Sequence, residues 1–150
     1  MKVSVSDKAE VVLSFQNGRF FVLVPDALPP TNRNWHIYPS FRDWYIAHGT
    51  PKVQQRVDLF APKLGVTPTK IRLKEQQARW GSCTKQGELL INWKLMMAPM
   101  KIIDYVMVHE IAHLLQPNHN PDFWNLVASV LPDYQERKEW LRIHGPLLEL

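Results

Sequence analysis

His109-Glu110-Ile111-Ala112-His113 is the stretch of this chain in which residue type and spacing together could do chemistry. On a helix, His109 and His113 stand about 40° apart in projection and about 6 Å apart along the axis. Two imidazoles placed in this way can converge on one ion. Glu110 is rotated about 60° from His113, near that ion but free to act as a base. Ile111 points away and can anchor the helix in a core. A catalytic zinc site needs a third protein ligand and leaves one position to water. His119 lies six residues after His113, just past Pro117. Its neighbours Asn118 and Asn120 tolerate turns, so the chain can leave the helix and bring His119 back to the same ion. Such a set suits hydrolysis by a metal-activated water, with Glu110 as general base.

The helix expected to carry these groups covers residues 102–115, where Asp104, His109, Glu110 and His113 are the strongly polar positions. A helix so apolar is expected to be central and buried. Buried ionisable groups are costly unless paired or metal-bound, and a cation would satisfy the three that share a face. The pattern starts at Pro99 and stops before Pro117. Asn120-Pro121 opens the next helix as cap and first residue, followed by a stripe of Phe123, Leu126, Val127, Val130 and Leu131. Asp133 with Glu136 predicts a capping-box start for a last helix, which Gly145-Pro146 closes.

Earlier in the chain, Asn17-Gly18 between the apolar runs 11–15 and 20–24 predicts a β-hairpin. A three-proline loop over 25–34 follows. Helices are expected over 41–48 and 52–64, stopped by Gly49 and Gly65. Ile71 and Leu73 alternate with basic residues. Alternation over 88–97 predicts a half-buried strand, with 84–87 as a turn and 78–83 as the other hairpin arm. The 88–97 strand could accept an extended peptide along its edge.

The 150 residues fit one domain over 1–150, with an N-terminal β-hairpin region about 1–30. Hydrophobic residues make up 45% and charged residues 21%, which excludes disordered and collagen-like chains. The single cysteine, Cys83, excludes an intrachain disulfide. No stretch reads as a signal peptide or membrane span, so a cytoplasmic protein is expected. Net charge is +4, and residues 63–94 hold seven basic side chains against Glu75 and Glu88. That stretch could face nucleic acid or form an ordinary solvated surface. A rival class therefore stands beside the hydrolase: a nucleic-acid-associated binding module in which zinc only stabilises the fold. A Cys83 thiolate as fourth ligand would make the site closed and structural. Tyr105 and Tyr134 could stabilise an oxyanion or fill the core. His36, His48 and His144 have no evident partner in the sequence.

Several segments sharpen the reading: Arg79-Trp80-Gly81-Ser82-Cys83, then 89–95 with Asn92-Trp93, then Asp104-Tyr105-Val106 leading into His109 and His113. Asn118-His119, Phe123-Trp124, Pro132-Asp133-Tyr134 and Trp140-Leu141 continue the pattern. Together they resemble the YgjP-like branch of the SprT-like zincin metallopeptidases, densely over roughly half of the chain. The resemblance implies His109, His113 and His119 as ligands of one Zn²⁺ per chain and Glu110 as catalytic acid/base. It implies an α+β, zincin-like fold, with a small, mainly antiparallel sheet packed on the central His109–His113 helix and further helices at the C-terminal end. It also implies a peptide or protein substrate. By analogy with SprT-like relatives, it adds the alternative of a protease acting on DNA-bound proteins. A metzincin would carry Gly at position 116, which is Gln here, and a Met-turn downstream, whereas no Met follows Met107. A gluzincin would draw its third ligand from Glu136 or Glu139.

Overall fold

The computed structural model describes residues 1–6, 10–27, 31 and 33–148, without the side chains of residues 33–35. Asn17 and Gly18 take positive φ, 49° and 75°, and join β2 (Val12–Gln16) to β3 (Arg19–Pro25) in the expected hairpin. A further strand, β1 (Lys2–Ser6), pairs in parallel with β3, so the order is β1-β3-β2. Its alternation hides it from a pattern search. Val3 and Val5 are exposed, while Ser4 and Ser6 are half-buried. Residues 28–30 and 32 of the expected three-proline loop lie outside the described residues.

A long helix, α1 (Arg33–Leu64), replaces the two helices expected over 41–48 and 52–64. Gly49 does not stop it. A Cβ at Gly49 would lie 2.7 Å from Met96 Cγ and 2.8 Å from Leu73 Cδ1, so the glycine serves a close approach. Gly65, with φ of 71°, does end the helix as expected.

Contacts divide the chain into two compact units, residues 1–45 and residues 46 onward. In the first unit, Val22 and Val24 of β3 pack with Ile37 and Phe41 of α1 to form a small core. In the second, β4 (Lys70–Lys74), β5 (Gly81–Cys83) and β6 (Glu88–Asn92) form a sheet of order β4-β6-β5. Each sheet is mixed, with one parallel and one antiparallel pairing, rather than mainly antiparallel. The Thr84–Gly87 turn forms as expected, with Gly87 at φ 85°.

The strand expected over 88–97 ends at Asn92. Its side chain accepts from the Lys94 amide and caps a 3-10 helix, Trp93–Met97. Helix α2 (Met100–His113) follows, and ten of its fourteen residues are buried. It packs against β5, α3 (Pro121–Val130) and α4 (Tyr134–His144). Asp133 does not cap α4 with its side chain; its carboxylate pairs with Arg137 at 3.0 Å, one turn on. The chain then closes in a 3-10 turn, Gly145–Leu147. The expected α+β architecture thus holds. No helix among the described residues is long and apolar enough to cross a membrane.

Candidate metal centre

Helix α2 carries His109, Glu110 and His113 on one face of a buried cylinder. Its fourth polar residue, Asp104, is neutralised elsewhere. Arg56 of α1 grips it through two parallel bonds, Nε to Oδ1 at 2.6 Å and the second amino group to Oδ2 at 2.7 Å. The chain leaves α2 at Leu114 and turns at Pro117. It is fixed again where the Asn120 side chain accepts from the Phe123 amide at 2.9 Å. This capped start of α3, with Pro121 as its first residue, holds His119 back over α2.

The three Nε2 atoms of His109, His113 and His119 lie 3.0–3.2 Å from one another. Two imidazole nitrogens bound about 2.05 Å from one tetrahedral ion would lie about 3.3 Å apart. Nδ1 of His113 lies 3.1 Å from the Gln116 carbonyl, which can only accept. In the neutral ring, that carbonyl keeps the proton on Nδ1 and turns the Nε2 lone pair toward the other two histidines. Burial, followed by the neighbouring charges of His113, His119 and Lys138, pushes His109 down to about 3. Burial also lowers His113, against the opposing Gln116 carbonyl bond. Neutral nitrogens crowded at this distance repel unless something positive lies between them. The donor set therefore fits a divalent cation.

Phe123 is the platform for all three rings. It stacks on His113 at 4.5 Å and meets His109 and His119 at 5.0 Å. Trp124 stacks on His119 at 5.9 Å, and Tyr134 stacks on Trp124 at 5.2 Å. The sequence marks Phe123 only as a core position, because nothing local says what its ring touches.

Glu110 is buried, with Oε1 4.0 Å from His109 Nε2. Burial raises its carboxyl to about 7, partly offset by the Arg79 charge. Gly81 of β5 lies against it: a Cβ there would come within 2.9 Å of Glu110 Cγ. A cavity of about 650 Å³ opens over these groups, bounded on the β5 side by Arg79, Cys83 and Lys85. Cys83 lines the cavity, but its sulfur is not among the converging atoms, and burial and Glu110 hold its thiol up. Among the described residues, neither Glu136 nor Glu139 joins the histidines; Glu139 is exposed and pairs with Arg142. Tyr105 lies 5.9 Å from the His109 ring centre, and burial together with Glu110 pushes its hydroxyl up to about 12. His36 and His48 are exposed on α1, and His144 stacks on Trp140 at 4.5 Å. None of these three enters the cluster.

The 88–97 segment cannot take a peptide along its edge as expected, because β6 is the central strand, paired on both sides. The sheet edge that borders the cavity is β5.

A family model described as YgjP-like, metallopeptidase domain, matches residues 21–144. No curated protein matches the chain. Two solved structures are similar in fold. One is the metallopeptidase zymogen of Pyrococcus abyssi abylysin, with 21% identity, 63% of this chain and 94% of that chain covered, and a TM-score of 0.56. The other is the metallopeptidase zymogen of Methanocaldococcus jannaschii jannalysin, with 20% identity, 63% and 96% covered, and a TM-score of 0.53.

Proposed function

The chain belongs to the YgjP-like metallopeptidase domain family, and on that premise we propose that it hydrolyses peptide bonds with one Zn²⁺ held by His109, His113 and His119 and with Glu110 as general base. One observation carries the reading: three imidazole nitrogens within 3.2 Å of one another, beside a buried carboxylate, under a cavity open to solvent. Zinc bound there would polarise the scissile carbonyl and acidify water. Glu110 takes the proton from the attacking water and returns it to the leaving amine. Burial raises the proton affinity of this carboxyl above that of an exposed one, which favours the accepting step. The β5 edge offers unpaired backbone groups along which an extended substrate can align. Three nitrogen donors with no sulfur among them would leave a bound zinc a fourth position for solvent or substrate, as a catalytic site requires.

Metal analysis of the purified protein, with the His119→Ala variant beside it, tests the site. About one zinc per chain is expected in the parent and loss of most of it in the variant, together with loss of peptide cleavage. A variant that keeps its metal, or a parent that binds none, overturns the ligand set. The nucleic-acid alternative has less support. It rests on charge alone, and Arg72, within the basic stretch, is held by Glu88 at 2.5 Å.

A further inference from the structure

Arg79 lines the cavity and its charge acts on Glu110, but the chemistry above gives its guanidinium no partner of its own. Three observations fix it there. Ala78, just before it, has φ of 59°, a conformation that an L residue holds only when its surroundings impose it. Buried Asn92 donates from one amide nitrogen to the carbonyls of Gln76 and Arg79, at 3.0 and 3.1 Å. The Asn92 amide also donates to the Trp80 carbonyl at 2.8 Å. The backbone at Arg79 is thus clamped to the central strand of the sheet. Among the described residues, the guanidinium itself has no hydrogen bond or ion pair.

The cavity is also one-sided in charge. Arg79 and Lys85 line it, and Glu110 is the one carboxylate among the lining residues. Glu110 is buried against Gly81, so the reacting centre lies beside that residue. Arg79 is two residues before Gly81, at most about 7 Å of chain, which is the reach of one or two substrate residues. Lys85 lies in the turn after β5 and adds a second positive charge to the lining. Arg79 also lines a second cavity of about 640 Å³ together with the rest of the 75–80 loop. Substrate lying along β5 toward that loop would pass Arg79.

We propose that Arg79 is a specificity residue that pairs with a substrate carboxylate one or two positions from the bond that is cut. The planar fork of arginine suits a carboxylate in two parallel bonds. The carboxylate could be an Asp or Glu side chain or a free C-terminus; both offer the same acceptor. The inference rests on the peptidase reading for what it selects, but it can fail separately.

The test uses zinc-loaded protein and blocked peptides that differ only by Glu or Gln beside the cleaved bond, plus one peptide as free acid and as amide. The parent is expected to favour the carboxylate member of one pair by about tenfold in kcat/KM at low salt. Whichever pair shows the effect identifies the source. Arg79→Gln is expected to bring that ratio close to one, and Arg79→Glu to shift preference toward a Lys peptide. An indifferent parent overturns the proposal. So does an Arg79→Gln protein that slows on both members equally, because the residue then acts on the reaction and not on selection. Binding of the same peptides to the Glu110→Gln protein is read by fluorescence anisotropy. An Arg79-dependent preference in binding without cleavage by the parent would leave the inference standing and remove the peptidase reading. Equal binding of both members would remove the inference itself.

Discussion

The two sheets are built alike and used differently. In each, the third strand is central, parallel to the first and antiparallel to the second across a short turn. The β1-β3-β2 sheet buries Val22 and Val24 against Ile37 and Phe41 and, among the described residues, no polar side chain. The second unit holds all three buried polar or charged residues described, Asn92, Asp104 and Glu110. Buried polar groups cost free energy unless each finds a partner. Asn92 clamps the loop before β5, Asp104 is gripped by Arg56, and Glu110 faces the cavity. The same strand arrangement thus serves as apolar packing in one unit and as a wall of the candidate metal centre in the other.

The largest effect that would break this comparison is expected at Glu110. Glu110→Gln removes the proton acceptor while keeping the volume, so turnover should fall about a thousandfold, within the usual range for a lost general base. Metal content should stay at the parent value. If the variant cleaves peptide at the parent rate, the buried carboxylate of the second unit has no reactive role and the contrast between the sheets disappears.

The next effect is on stability. Arg56→Met leaves Asp104 buried without its partner, which should cost about 3 kcal/mol. The double variant Arg56→Met/Asp104→Leu should recover most of that loss, because two apolar side chains can replace a buried pair. Denaturant unfolding of the single and double variants reads both numbers. A single variant as stable as the parent would mean that the second unit does not depend on pairing its buried charge.

How much of this was legible in the sequence follows the range of each contact. His109, Glu110 and His113 are set by helix geometry, and His119 by a turn and a cap within ten residues. Their convergence was readable for that reason. The Asn17-Gly18 and Thr84–Gly87 turns were equally local. What was hidden was set from far away. Gly49 reads as a helix stop until Met96 and Leu73 are seen against it. Asp104 reads as a buried carboxylate with no partner in view until Arg56, forty-eight positions earlier, is seen to hold it. Trp93 and Leu95 extend a strand-like alternation that Asn92 interrupts with its cap. Phe123 is a core position by pattern, and only the folded chain shows it beneath three imidazoles.

The same one-carbon change in the two hairpins sharpens the comparison further. Gly81→Ala sets a methyl within 2.9 Å of Glu110 Cγ and 3.1 Å of its Oε1. Either the carboxylate or β5 must shift, and a displacement of about 1 Å at a reacting group can cost about a hundredfold in rate. A fall in kcat of that order is expected, with zinc retained, since the ligating nitrogens are untouched. An unchanged kcat would show that the carboxylate can move freely and that β5 does not position it.

Gly18→Ala should give the smallest effect. Nothing lies within 4 Å of a Cβ at that position, so no contact is broken. The only cost is holding an L residue at φ of 75°, about 1 kcal/mol. Thermal unfolding should register that loss, while kcat and metal content should equal the parent values. A matching loss of activity would tie the first sheet to the chemistry of the second unit. A neutral Tm would mean that the turn can relax out of its left-handed conformation, and that the Asn17-Gly18 geometry does less to fix the register of β2 on β3 than the Val22 and Val24 packing does.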